Sequence, residues 1–336
     1  MATAVFSVIY AGPQVSVQDG GRKGLLRFGV PASGPMDRTG FASANVALGN
    51  AADRSAIEVS LGGLVLDCTD GQVSFGMAGG AFQVSLGSAR YGSWTVATIS
   101  AGTRLTVRAG DRGSWTYIAF AGLIRAPLWL GSAATHALSG LGGGTLTQGG
   151  RIFIDDAQVR EEREGDIPLP PASPAGPIRV VLGPQDRFFA PDTITAFLAH
   201  PFLLTDAYDR MGVRLSGVRL RLTTAPDMPS EAIVRGSVQL AGDGVATVLL
   251  ADHQTTGGYP KIATVITADL DRFAQLRSGD TVMFQAISPQ EALILLRKQH
   301  AVQADYLSAI RLVRGSLTQR LNSRNLIDGV VSGTDI

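Results

Sequence analysis

The sequence predicts a mainly β protein, a sandwich or barrel with few helices, and three observations lead there. Glycine is frequent, 41 of 336 residues, which favours tight turns and short strands over long helices. Short β-branched and aromatic runs follow one another closely, each bounded by Gly, Asp or Ser, which suits hairpins better than a βαβ array. With 45% hydrophobic residues the chain has ample core, and at ~100–200 residues per domain its length predicts two domains.

In the first half, strands are expected at Ala56–Leu61, Leu64–Asp67, Val73–Met77, Phe82–Leu86, Thr103–Arg108 and Trp115–Ala121. The exception is a helix over Pro35–Leu48, with Ser33 as its cap, Pro35 near the first turn and Gly49 beyond its end. Residues 1–160 thus read as an N-terminal β domain. From Asp155 to Pro177 a charged stretch gives way to five prolines, which favour extended polyproline geometry, so 161–177 is read as a Pro-rich linker.

Residues 178–287 read as a second β domain, with strands at Ile178–Leu182, Val213–Leu215, Gly236–Leu240, Val245–Ala251, Ile262–Ile266 and Thr281–Ile287. Helices fit Asp192–Ala199 and Asp269–Arg277. Ser288-Pro289-Gln290-Glu291 is a capping box with proline at the first helical position, opening a long C-terminal helix over 288–315. Leu293, Leu296, Tyr306, Ile310 and Val313 form a partial apolar stripe for core packing. The remainder, 316–336, is expected to be a loosely held tail.

A net charge of +1 excludes a broad nucleic-acid surface, which needs clustered Lys and Arg. One cysteine, Cys68, excludes an internal disulfide, and four scattered histidines show no metal-ligand spacing. No apolar run approaches the ~20 residues that span a bilayer, and the N-terminus lacks a basic leader, so a cytoplasmic protein without membrane contact is expected. There is no P-loop and no G-x-S-x-G elbow. Lys23, Lys261 and Lys298 are the only lysines, and none has the flanking methionines of a biotin attachment site, so no biotin is expected on this chain.

Four segments combine glycine with polar groups. Gln18, Asp19 and Arg22, followed by Ser33 and Asp37, bring an amide, carboxylates, a guanidinium and a hydroxyl onto loops that feed one helix N-terminus. Arg210 and Arg214, with Asp209 beside the first, suit a carboxylate or phosphate clamp, or equally a surface ion pair. Glu231 and Gln239 flank a short loop. The most informative segment runs from Asp252 to Lys261, where a strand enters seven polar or glycine positions. Gln254, Thr255, Thr256, Tyr259 and Lys261 would converge on a small polar molecule, and Gly257 and Gly258 would let the backbone approach it. His253 could titrate near neutrality, but a lone histidine reads as a structural hydrogen bonder.

VQDGGRKG, GVPASGPMD, the Ala44–Asn50 segment, Ile57-Glu58-Val59, DRMGVRLSG, SEAIVRGSVQ and ADHQTTGGYPKIATVITADLDRFAQLRSGD occur in that order. Together they resemble the biotin-dependent carboxyltransferase family, also called allophanate hydrolase subunit 2, over about Val17 to Gln290. The family includes the C subunit of bacterial 5-oxoprolinase and part of the carboxyltransferase region of urea carboxylase. The resemblance implies two β-barrel-like domains, one cyclophilin-like. It also implies a partner, the B subunit of 5-oxoprolinase, and functional coupling to an A subunit. It carries a site onto Gln18, Asp19, Arg22, Ser33, Asp37, Arg210, Arg214, Glu231, Gln239, Asp252, Gln254, Thr255, Thr256, Tyr259 and Lys261. His253 stands where the family usually has arginine, and the stretch after Gly131-Ser132 departs from the family's glycine-rich pattern.

The expected activity is that of a hydrolase component that activates 5-oxoproline with ATP and Mg2+, within a hetero-oligomer. Whether the nucleotide contacts this chain or its partner is left open. Lys261 would stabilise charge on the lactam oxygen, with Tyr259 or Asp252 managing a proton. Two rivals are a biotin-dependent carboxyltransferase acting on urea or another small amide, and a non-enzymatic regulator of a protein resembling the B subunit.

Overall fold

The structure, a computed structural model, describes residues 2–172, 175–223 and 228–312. It is mainly β, with four α-helices among the described residues: α1 (Arg38–Ala47), α2 (Pro191–Ala199), α3 (Thr267–Ala274) and α4 (Pro289–Ile310).

Residues 4–166 build two sheets. One has seven strands and is centred on Ala4–Ala11, Leu64–Asp70 and Arg104–Arg112. The other has six and runs Gly165–Asp166, Thr95–Ser100, Gln72–Ala78, Trp115–Phe120, Ala56–Ser60, Ser16–Gln18. The six residues of Trp115–Phe120 are all buried, as expected of a strand covered on both faces. α1 lies across this sheet, and Gly76 makes that possible: a Cβ there would run into the Ala44 carbonyl oxygen.

The eight-stranded sheet of the second half runs Thr281–Val282, Phe202–Tyr208, Gly212–Ser216, Ala246–Leu249, Ser237–Leu240, Lys261–Val265, Ile178–Leu182, Phe284–Ala286. Its two outermost strands are consecutive in the chain and separated only by Met283, so the sheet wraps into a nearly closed barrel. This corrects the expected single strand Thr281–Ile287: the chain crosses from one sheet edge to the other within it. Phe197 of α2 packs against Phe202 and Phe284 of the sheet, with the Phe197 and Phe284 rings stacked at 4.7 Å.

Two of the boundaries that differ from expectation bear on the site or the linker. Ser33 does not cap the first helix. Asp37 does, accepting from the Gly40 amide at 2.9 Å, so the helix begins after Pro35. Within the Pro-rich stretch, Gly165–Asp166 pairs with Thr95 and Val96, and Tyr306 of α4 donates to the Pro168 carbonyl at 2.7 Å.

α4 ends at Ile310; Val313, the last residues expected in the helix and the tail over 316–336 lie outside the described residues. Tyr306 and Ile310 are buried, whereas Leu293 is half-exposed, so only the later turns of the expected stripe reach the core. The capping box is present, with Ser288 Oγ accepting from Glu291 N and Glu291 accepting from Ser288 N. Ser288→Ala is expected to lower stability by about 1 kcal/mol, read from the midpoint of urea denaturation.

Candidate functional site

The DRMG segment folds as a turn in which Asp209 Oδ1 accepts from the Met211 and Gly212 amides at 2.8 and 3.1 Å. That turn leaves Arg210 pointing inward, where it is 1% exposed. Nε and Nη2 donate to Asp252 at 3.0 Å each, Nη2 also to the Gly34 carbonyl at 2.8 Å, and Nη1 to Glu58 Oε1. Glu58 Oε2 accepts from the Met36 amide at 2.8 Å and the Tyr117 hydroxyl at 2.9 Å. Asp252 Oδ2 accepts from the Ala137 amide at 3.0 Å. The cluster is a buried cation between two carboxylates, tying distant parts of both halves together.

Electrostatics follow from this closure. Burial opposes charge on Asp252, yet Arg210 outweighs it, aided by the Ala137 amide, and holds the carboxyl below its ordinary value. Arg210 is disfavoured by burial but held protonated by Asp252 and Glu58. Burial, then Glu58 and Asp37, push the Tyr117 phenol well up. Arg210 therefore has its donors committed inward, and Asp252 is poorly suited to carrying a proton. The two read as scaffold.

Beside this network, Asp19 and Arg22 reach past each other to one loop. Asp19 accepts from Gly21 N at 2.9 Å, Ser132 Oγ at 2.6 Å and Ala133 N at 2.6 Å. Arg22 Nε donates to the Trp129 carbonyl at 3.0 Å and Nη2 to that of Ala134, while its guanidinium lies 4.4 Å over the Trp129 ring. Gln18 Nε2 donates to Ser16 Oγ at 2.9 Å and to the Thr135 carbonyl at 3.1 Å. Gln18 Oε1 and Arg22 Nη1 are buried without a hydrogen-bond partner. A Cβ on Gly29 would lie 4.0 Å from Thr255 Oγ1, so this loop meets the polar stretch of the second half.

The second group surrounds Lys261, which pairs with Gln239 across the barrel sheet. Gln254 Nε2 donates to Gln239 Oε1 at 3.2 Å. Gly257 pairs with Glu231, and a Cβ on it would come within 2.6 Å of Ile233 Cδ1, the movable end of that side chain. Gln185 is buried and bridges the group: its Oε1 accepts from Lys261 N at 2.8 Å and its Nε2 donates to Glu231. Lys261 is 3% exposed and Nζ has no hydrogen-bond partner. Burial lowers its pKa, with Glu231 pulling the other way. A buried ammonium without a protein partner is uncommon and sets Lys261 apart from the other polar side chains of this group.

Other expected residues lie elsewhere. Arg214 is half-exposed and pairs with Asp243 at 2.6 Å, the surface ion pair rather than a clamp. Tyr259 is half-exposed and Thr256 exposed, whereas His253 is buried, lowered by burial, and donates Nδ1–H to the Gln254 carbonyl at 2.7 Å. Asp37 faces α3, where Gln275 Nε2 donates to it at 2.7 Å; only its backbone amide reaches the network, donating to Tyr117 at 2.7 Å.

Asp37 is raised to about 7, by burial first and then by Asp271. Asp271 in turn accepts from the Arg38 and Thr39 amides and the Thr39 hydroxyl at the start of α1. Between about pH 4 and pH 7 the folded chain keeps a proton that the unfolded chain has released, so stability falls as pH rises through that window. Asp37→Asn is expected to flatten this fall in urea titrations across the window; an unchanged slope would contradict it.

Glu58, Tyr117, Gln185 and Arg235 are site residues that sequence reasoning missed. Glu58 carries a signal, a carboxylate inside an otherwise apolar strand, which demands a buried partner. Gln185 carries none, since an amide after Gly-Pro reads as an ordinary loop. Arg235 is buried and donates to the Pro35 and Met36 carbonyls at 3.0 and 2.5 Å. Among the described residues no group of three His, Cys, Asp or Glu is placed to hold a metal ion.

Comparison with known proteins adds the lineage. The family model described as the carboxyltransferase domain, subdomains A and B, matches residues 28–286. A 5-oxoprolinase C subunit of Haemophilus influenzae is 34% identical over 303 residues, covering 89% of this chain and 96% of the relative. A urea amidolyase of Saccharomyces cerevisiae is 27% identical over 94% of this chain, but the match spans 18% of that protein. The crystal structure of the K. lactis urea amidolyase superimposes with a TM-score of 0.81 at 26% identity, covering 91% of this chain and 20% of that one. The chain belongs to the carboxyltransferase-domain family, subdomains A and B.

Proposed function

We propose that this chain works as the C subunit of an ATP-dependent 5-oxoprolinase in the cytoplasm. A homologue of the B subunit would be its partner, and an A subunit would complete hydrolysis to glutamate. The observation that carries this reading is end-to-end similarity to relatives of that name, 34% identical over 96% and 93% of their lengths.

Chemistry at the site supports it. A lactam offers one N–H and one C=O, and the buried side-chain atoms without a protein partner include an acceptor, Gln18 Oε1, and a donor on Arg22 in the first group, and a donor on Lys261 in the second. Lys261 is the residue suited to charge on the lactam oxygen, because its Nζ is desolvated and unengaged, whereas Arg210 is saturated. Gln185 holds Lys261 and Glu231 in register. When bound, ATP would supply the phosphoryl group that makes the lactam carbon electrophilic. Mg2+ would accompany the nucleotide phosphates.

The deciding assay is ATP-dependent glutamate formation from 5-oxoproline with the cognate B and A subunits. Absence of turnover in that mixture would remove the reading. A second reading, carboxyl transfer to urea or another small amide from biotin on a separate protein, is favoured by the urea amidolyase relatives and by the family's description. Carboxylated product from carboxybiotin, with no glutamate from 5-oxoproline, would select it.

A further inference from the structure

A cleft of about 480 Å3 separates the Gly20–Ser33 loop and α1 from α4, within the size range of small-ligand sites. Its charged lining is uneven. Lys23 and Arg38 border it, with Asp53 as the carboxylate in the lining, while Phe41 and Leu307 supply apolar surface. Neither Lys23 nor Arg38 has an ion-pair partner among the described residues. Arg38 also adds to the positive field at the buried Arg235. Lys23 and Arg38 are both exposed at the rim, and cations without a carboxylate partner at the mouth of a cleft attract an anion.

The wall of the cleft is strained. Ser33 holds a φ of +53°, in the left-handed region that disfavours a side chain, and Gly34 follows at +84°. The same Ser33 stands beside Asp252, and Gly34 accepts from Arg210. The cleft thus shares a wall with the buried ion network without containing Lys261.

We propose that this cleft is a binding site for a small organic anion, a carboxylate or phosphate carried on an apolar body, separate from the group around Lys261. Lys23 and Arg38 would take the charge, Phe41 and Leu307 the apolar body, and Asp53 a hydrogen-bond donor of the ligand. Pressure on Ser33 would connect occupancy to the Asp252–Arg210 pair. The inference needs no turnover, so it stands or falls separately from the proposed activity.

Isothermal titration of the full chain with benzoate, phenyl phosphate and neutral benzamide tests it. Saturable binding of at least one anion, without binding of benzamide, is expected, and the stronger of the two identifies the head group. Arg38→Glu should weaken that binding at least about tenfold. Ala304→Trp, which places bulk in the cleft from α4, should abolish it at unchanged melting temperature. If this variant fails to fold, Arg38→Glu decides alone. No saturable binding of either anion at millimolar concentration, equal binding of benzamide, or binding indifferent to Arg38→Glu would overturn the proposal.

Discussion

Arg210→Met is expected to lower folding stability by about 3–5 kcal/mol, among the largest effects of any single substitution in this chain. The loss comes less from the missing attraction than from what remains. Glu58 and Asp252 are fully buried, and without the guanidinium each is an ionised carboxylate in an apolar surround or must take up a proton to stay there. Their other donors, the Met36 and Ala137 amides and the Tyr117 hydroxyl, are too few to replace a cation. Lysine is a poor substitute, because one ammonium cannot reproduce the forked contact to Asp252 together with the bonds to Glu58 and Gly34. Urea denaturation near neutral pH measures the loss. Acidification, which protonates the stranded carboxylates, should narrow the gap to the parent protein. A loss below about 1 kcal/mol would mean that the network is not closed in solution.

Lys261→Ala is expected to cut kcat by about 30- to 1,000-fold in the complex with the B and A subunits, equivalent to about 2–4 kcal/mol of transition-state stabilisation. Stability should change far less, because Nζ makes no hydrogen bond that the fold would miss and burial already disfavours its charge. Activity should also fall on the alkaline side at a lower pH than an ordinary lysine would give, since burial depresses the ammonium. Lys261→Arg keeps a charge that does not titrate there, so whatever activity it retains should lose this alkaline limb. An unchanged kcat for Lys261→Ala in an intact complex would refute the role.

Much of the fold was legible because period-2 runs bounded by glycine are a local signal. Ile178–Leu182 begins and ends where its sequence says, and Trp115–Ala121 errs by one residue at one end. Short or polar strands such as Ala89–Gly92, exposed throughout, left no such mark. Site residues were legible where chemistry and glycine coincide, as at Asp252 to Lys261. Their roles were not, because role depends on which donors are already taken. Arg210 and Arg214 look alike in DRMGVRLSG, yet one is saturated in the interior and the other faces solvent. Four residues along a turn and a strand decided that, through long-range partners no spacing reveals.

Asp271 accepts from the Arg38 and Thr39 amides at the N-terminus of α1, across more than two hundred positions of chain. During synthesis the ribosome delivers α1 long before its acceptor, so those amides stay with water until the second half emerges. A product truncated ahead of α3 would carry a helix that lacks this acceptor, open to proteases at its first turn.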